Sequence, residues 1–243
     1  MRAATIGRMP LATMPVIERL TLASVSTVPE WHPEHRSFEP FPVFAWVVRH
    51  PGGVILVDTG IGLGNEFIDE LYRPEITPIT DALGSLRLTP ADIAAVVLSH
   101  LHFDHCGQQD VFEAPVYVQA LEIDAAATPG YTVPEWAAIA EDRLRPVDGG
   151  LVIAEGVRLL PTPGHTPGHQ SVVIEAEDGR VVLAAQCAFR GDELRSGVPS
   201  AANLHDVESR EVATDSLRRV RALGPVTLHL SHDPEAVVLP AAT

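Results

Sequence analysis

The stretch Ile93-Ala94-Ala95-Val96-Val97-Leu98-Ser99-His100-Leu101-His102-Phe103-Asp104-His105 decides how this chain is read. Its first six residues are apolar, a run whose length suits a strand buried on both faces. The run stops at Ser99, and four side chains of metal-ligand type follow within six residues: His100, His102, Asp104 and His105. Imidazole nitrogens and a carboxylate oxygen suit zinc and neighbouring first-row metals. Two histidines at i and i+2 on an extended loop can converge on one ion, and the Asp-His pair after them can face a second.

Outward from this point, the chain alternates strand and helix signals. Before it, Phe41–His50 and Gly53–Val57 are Val-, Ile- and Phe-rich runs joined at Pro51-Gly52-Gly53, the pattern of a β-hairpin. Asp58-Thr59-Gly60 ends the second run and opens a glycine-rich loop. That loop lacks the full spacing of a dinucleotide fingerprint. Residues 81–88 have helical spacing, and Thr89-Pro90-Ala91-Asp92 offers an N-cap with proline at the first helical position. After the histidine run, a strand is expected at 116–118, with helices at 119–127 and 135–144. The second half predicts strands at Leu151–Ala154, 157–160, 171–175, 180–185 and Val226–Leu230, a loop over 190–203, and an amphipathic helix over 206–223.

Two further strand ends deliver histidines. Pro163-Gly164-His165-Thr166-Pro167-Gly168-His169 is a tight loop fixed by Gly and Pro, which can aim His165 inward. Ser231-His232 follows the last predicted strand. Loops carried on a rigid scaffold are where catalytic groups usually sit.

Composition narrows the function classes. The 243 residues are 46% hydrophobic, enough for one large α/β domain over 1–243 with a real core. The formal net charge of −15, from 32 acidic and 17 basic side chains, disfavours a nucleic-acid partner, because that affinity rests on Lys and Arg neutralising phosphates. A small-molecule substrate is expected instead. The two cysteines, Cys106 and Cys187, form no C-x-x-C pair, so no disulfide framework is indicated and a cytoplasmic location fits. No apolar run approaches ~18 residues, and the N-terminal residues 1–18 contain no continuous apolar segment, so neither membrane spanning nor export is expected.

The H-x-H-x-D-H run, the segment Thr162-Pro163-Gly164-His165-Thr166-Pro167-Gly168-His169, the Asp-Thr-Gly after the hairpin and the late Ser-His-Asp resemble the metallo-β-lactamase superfamily over roughly residues 40–235. The hairpin and the helix around residues 216–223 look most similar to the N-acyl-homoserine lactonase branch, the quorum-quenching enzymes. The resemblance implies an αββα four-layer sandwich with metals at one edge of the sheets. By position, His100, His102 and His165 would hold a first zinc ion, and Asp104, His105 and His232 a second. It further implies hydrolysis of a lactone by hydroxide generated at the metal, whose binding lowers the pKa of water to roughly 7. Asp104 is the catalytic candidate for proton transfer. A monomer or homodimer is expected.

One departure stands out. The family carries a metal-bridging Asp after the strand that follows the second histidine loop, and Gln186 occupies that place. A neutral amide offsets the repulsion between two dications less than a carboxylate does, so either one or two ions are expected, with the second site weakened. Cys187 is adjacent but is expected to pack in the core. Phe189 stands near the position where such lactonases carry a tyrosine that assists the substrate carbonyl. These two differences keep open a thioesterase or other ester hydrolase acting on a biosynthetic intermediate, and a degenerate, non-catalytic member. Asp58 is expected to orient a histidine ligand, His169 to brace its loop, and His229 to be a core histidine. His32, His35, His50 and His205 read as surface residues. Trp31, Phe38, Phe41 and Phe44 read either as the wall of an acyl pocket or as ordinary core.

Overall fold

In the computed structural model, which describes residues 14–30, 35 and 38–240, two mixed sheets stack face to face with helices on both outer surfaces. The first sheet comprises β1 (Val16–Val25), β2 (Phe41–His50), β3 (Gly53–Val57), β4 (Glu75–Ile76), β5 (Ile93–Val97), β6 (Val116–Gln119) and β7 (Leu144–Val147), in the order β4-β1-β2-β3-β5-β6-β7. The second comprises β8 (Leu151–Ala154), β9 (Val157–Pro161), β10 (Gln170–Ala176), β11 (Gly179–Ala185), β12 (Val226–Leu230) and β13 (Val237–Leu239), in the order β13-β12-β11-β10-β9-β8. The predicted hairpin is β2–β3, paired antiparallel from Trp46↔Val57 to His50↔Gly53.

Strand alternation builds cores on both faces of these sheets. Trp46, Val48, Ile55 and Val57 face inward and meet Val172, Ile174 and Leu183 of the second sheet. Their neighbours Ala45, Val47 and Leu56 face outward, under α2 (Ile79–Ser85) and α4 (Ala120–Ala126), with Ile79, Leu83 and Ile123 filling the gap. On the other side, Val173, Val182 and Leu228 pack against Leu217 and Val220 of α7 (Ser209–Arg221). This is the expected αββα order of layers. The short helices α1 (Glu66–Tyr72), α3 (Phe103–Cys106), α5 (Pro134–Ala137) and α6 (Gly191–Ser196) lie in the connections between strands.

Two expectations give way. The helix predicted over 135–144 stops after α5, and the chain goes on to pair β7 with β6. The carbonyls of Trp136 and Ala138, which a continuing helix would use, accept from Gln109 Nε2, and Arg143 is held by the carbonyls of Gln109 and Phe112. Tertiary hydrogen bonds outweigh helix propensity here. The loop predicted over 190–203 contains α6 and a single 3₁₀ turn. Glu193 organises it by accepting from the backbone of Phe189, Arg190 and Ser200.

The parallel pairs β3–β5–β6 and β11–β12 run toward one rim. In such sheets, ligands bind beyond the carboxyl ends of the strands. Backbone bonds cross between the two sheets at this rim, from Phe44 N to the Ser231 carbonyl (3.0 Å) and from Gln170 N to the Ser99 carbonyl (2.8 Å).

Candidate metal centre

Three strand ends bring the histidines together. The loop after β5 carries His100, His102, Asp104 and His105; the β9–β10 loop carries His165; the residue pair after β12 carries His232. They sort into two groups, His100/His102/His165 and Asp104/His105/His232, each with its ligand atoms within 4.8 Å of one another. His165 Nε2 lies 3.1 Å from His102 Nδ1. Asp104 Oδ2 lies 3.5 Å from His105 Nε2 and 3.4 Å from His232 Nε2.

The far side of four of the five rings is anchored. His105 Nδ1 donates to Asp58 Oδ2 (2.9 Å), His232 Nδ1 to the Pro42 carbonyl (2.8 Å) and His165 Nδ1 to the Asn203 carbonyl (3.2 Å). His100 Nδ1 donates to Ser99 Oγ (3.0 Å), which itself donates to Asp58 Oδ2 (2.9 Å). These bonds orient the rings and aim their Nε2 atoms into the cluster, the usual arrangement behind a metal. Nε2 of His100, His105 and His232 is buried with no hydrogen-bond partner among the described residues. Buried nitrogens without partners are costly, and a cation at each group would satisfy them. The residues fit a metal.

Electrostatics agree with this. Burial and the neighbouring imidazoles hold His100 and His165 well below the ordinary histidine value, and burial lowers His102 and His232 to about 4. These rings are therefore neutral, with lone pairs available, at neutral pH. His105 behaves in the opposite sense. Burial alone would lower it, but the Asp104 and Asp58 carboxylates on either side raise it to about 10. Asp104 is held well below the usual carboxylate range: burial opposes the shift, and the surrounding His105, His232 and His102 rings outweigh it.

Residues 38–232 match the profile of the metallo-beta-lactamase superfamily. The chain belongs to that superfamily. An N-acyl homoserine lactonase from Bacillus sp is 32% identical over 194 residues, 74% of this chain and 75% of the relative. The N-acyl homoserine lactonase AttM of Rhizobium radiobacter is 28% identical over 227 residues, 80% of this chain and 83% of the relative. Among solved structures, an N-acyl homoserine lactone hydrolase with N-hexanoyl-L-homoserine at its catalytic metal centre superposes with a TM-score of 0.74 at 26% identity, covering 92% of this chain and 98% of that one. A quorum-quenching N-acyl homoserine lactone lactonase gives 0.76 at 27% identity, covering 92% and 94%.

Within this metallo-β-lactamase frame, Gln186 follows β11 and is nearly buried. Its backbone is pinned on both sides, N donating to His169 Nε2 (3.1 Å) and O accepting from Asn203 Nδ2 (3.0 Å), while its side-chain Oε1 is buried without a partner among the described residues. His169 uses both ring nitrogens in this way, its Nδ1 donating to the Thr162 carbonyl (3.0 Å), so it braces the loop and has no free lone pair. Cys187 lies in the core beneath α7.

Both groups open on to a cavity of about 550 Å³. Phe38, Phe41, Phe67, Phe103 and Phe189 give it an apolar wall, while His102, Asp104, His165 and Gln186 form its polar end. Phe189 stacks 5.1 Å from the His232 ring. Of the aromatics read as possible pocket wall, Phe38 and Phe41 line the cavity and Phe44 is core; Trp31 and His32 lie outside the described residues. His205, read as surface, also lines the cavity. His35 and His50 brace turns, bonding the Val28 and Glu155 carbonyls, and His229 is half-buried rather than core. Sequence reasoning missed Glu122 and Tyr131, which stand behind and beside the histidines. A carboxylate inside the apolar-spaced helix 119–127 was the available signal.

Proposed function

We propose that this protein is a metal-dependent hydrolase that opens lactones of the N-acyl-homoserine type, with zinc as its metal. The observation that carries this reading is the pair of adjoining ligand groups, three of their buried imidazole nitrogens without a partner among the described residues, at the polar end of an apolar cavity. His100, His102 and His165 would hold one ion; Asp104, His105 and His232 would hold another. A metal held there supplies a nucleophile derived from water at neutral pH and polarises a carbonyl.

The chain's own residues do the rest. The phenylalanine wall holds the acyl chain by burial and excludes water from the reacting carbonyl. Asp104, kept ionised and open to the cavity, accepts the proton released by the attacking water and returns it to the ring oxygen that leaves as the homoserine hydroxyl. Asp58 holds His105 in the ligating tautomer. Gln186 brings a carbonyl oxygen but no charge, so two dications would rest on one ligating carboxylate, and we infer that the second ion binds more weakly than the first.

No helix among the described residues is long and apolar enough to cross a membrane. We further propose a cytoplasmic monomer or homodimer; both cysteines are free and buried, as a reducing compartment would keep them. The test is a panel of acyl-homoserine lactones and acyl thioesters offered to zinc-loaded protein. Ring opening of the lactones is expected. A folded, zinc-loaded protein that cleaves the thioesters alone, or neither, overturns the proposal.

A further inference from the structure

Glu122 is fully buried near the start of α4, and its carboxylate receives four donors. Oε1 accepts from Leu101 N (2.9 Å) and from the Tyr131 hydroxyl; Oε2 accepts from the Thr166 hydroxyl (2.8 Å) and from Gly168 N (3.0 Å). Four donors match the lone-pair capacity of one carboxylate, which offsets the cost of burying it. Their positions in the chain are informative. Leu101 separates His100 from His102, Thr166 follows His165, and Gly168 precedes His169. The first loop leaves the first sheet and the second enters the other sheet.

A second feature points the same way. A Cβ on Gly168 would sit 2.3 Å from Glu122 N, so the second histidine loop is pressed against the start of α4 at a place that only glycine allows. Tyr131, held by the same carboxylate, stacks 4.8 Å from the His102 ring and walls the cavity. Of the other ligand group, Asp104 and His105 lie farther along the first of these loops, where no bond from Glu122 reaches them, and His232 lies on a third segment. His105 and His232 are anchored through Asp58 and the Pro42 carbonyl.

We infer that Glu122 is a positioning residue that clamps both loops of the His100/His102/His165 group, and with them the Tyr131 wall, while leaving the Asp104/His105/His232 group to its own anchors. The inference rests on the metal reading above. Glu122→Gln places an NH₂ against two of the four donors and removes the charge behind the loops.

The experiment follows imidazole nitrogen signals by two-bond proton–nitrogen NMR while zinc is added against a competing chelator, so it reads each ring without using activity. In Glu122→Gln, half-saturation of His100, His102 and His165 should need roughly 10- to 100-fold more free zinc, the usual range for loss of a group behind the ligands. His105 and His232 should respond as in the wild type or at lower zinc. Thr166→Val, which removes one donor and keeps the charge, should show a smaller displacement with the same selectivity; it serves alone if Glu122→Gln does not fold. Equal displacement of all five rings, which general loosening would produce, overturns the inference, as does no displacement. If no ring of the wild type responds to zinc, the metal reading falls instead.

Discussion

Replacing Asp58 by Asn tests how the ligand histidines are held. The backbone tolerates the change: Asp58 sits at φ 63°, a left-handed conformation that Asn adopts readily. The two oxygens have different work. Oδ1 accepts from Ser99 N at 2.7 Å, and Oδ2 accepts from Ser99 Oγ and from His105 Nδ1, each at 2.9 Å. With Oδ1 kept on Ser99 N, the new amide nitrogen faces His105 Nδ1 and drives the ring to the tautomer protonated at Nε2, the atom proposed to bind metal. Flipping the amide instead sets two donors against each other at Ser99. Either way a charge-assisted bond is lost, worth roughly 1.5–3 kcal/mol, which converts to about 10- to 100-fold in zinc affinity. Competition with a chelator, read at the His105 and His232 signals, measures it. Unchanged zinc affinity at those rings, with the fold intact, would refute the assignment of Asp58 as the group that selects the ligating nitrogen.

Gln186→Asp places a carboxylate at the polar end of the cavity and should raise zinc content, measured by elemental analysis after dialysis, toward two ions; unchanged content means the glutamine does not limit occupancy. Metal loading should be linked to pH through His105. Its folded value of about 10 lies above the ordinary 6.5, so in metal-free protein the protonated ring stabilises the fold fully below pH 6.5, and that contribution is lost as pH rises through 10. Thermal unfolding of the metal-free form should show Tm falling across that window. Zinc binding at pH 8 should release about one proton, seen by calorimetry in buffers of different ionisation enthalpy. Leu183→Ala, which opens a hole between the sheets, should cost about 2–5 kcal/mol in chemical denaturation.

The fold was readable where one physical signal dominated. The β2–β3 hairpin has two apolar runs and a Pro-Gly-Gly turn, and its observed bounds coincide with the predicted ones. Helix α7 carries its apolar stripe plainly and lost only its ends. β1 escaped notice because Glu18, Arg19 and Thr21 interrupt its run, although Leu20 and Leu22 alternate with them as a half-buried strand requires. Residues 135–144 deceived because Ala, Glu and Leu favour helix, while Gln109, remote in sequence, captures the Ala138 carbonyl and Arg143 is drawn away to the Gln109 carbonyl. The gathering of six ligand-type side chains was legible because they fall at strand ends. Glu122 was not, because its significance lies in four donors from three segments, a relation that no spacing encodes. His205 likewise gains its place on the cavity only through the return of its backbone N to the Gly164 carbonyl.

The two backbone bonds that join the sheets at the rim, Phe44 to Ser231 and Gln170 to Ser99, have a practical outcome. They close the seam beside the histidines with main-chain atoms, so the spacing between contributions from the two halves does not depend on what is bound. Cobalt, cadmium or manganese exchanged into this protein would thus meet the same scaffold, and differences in their behaviour would report the chemistry of each ion rather than a rearranged pocket.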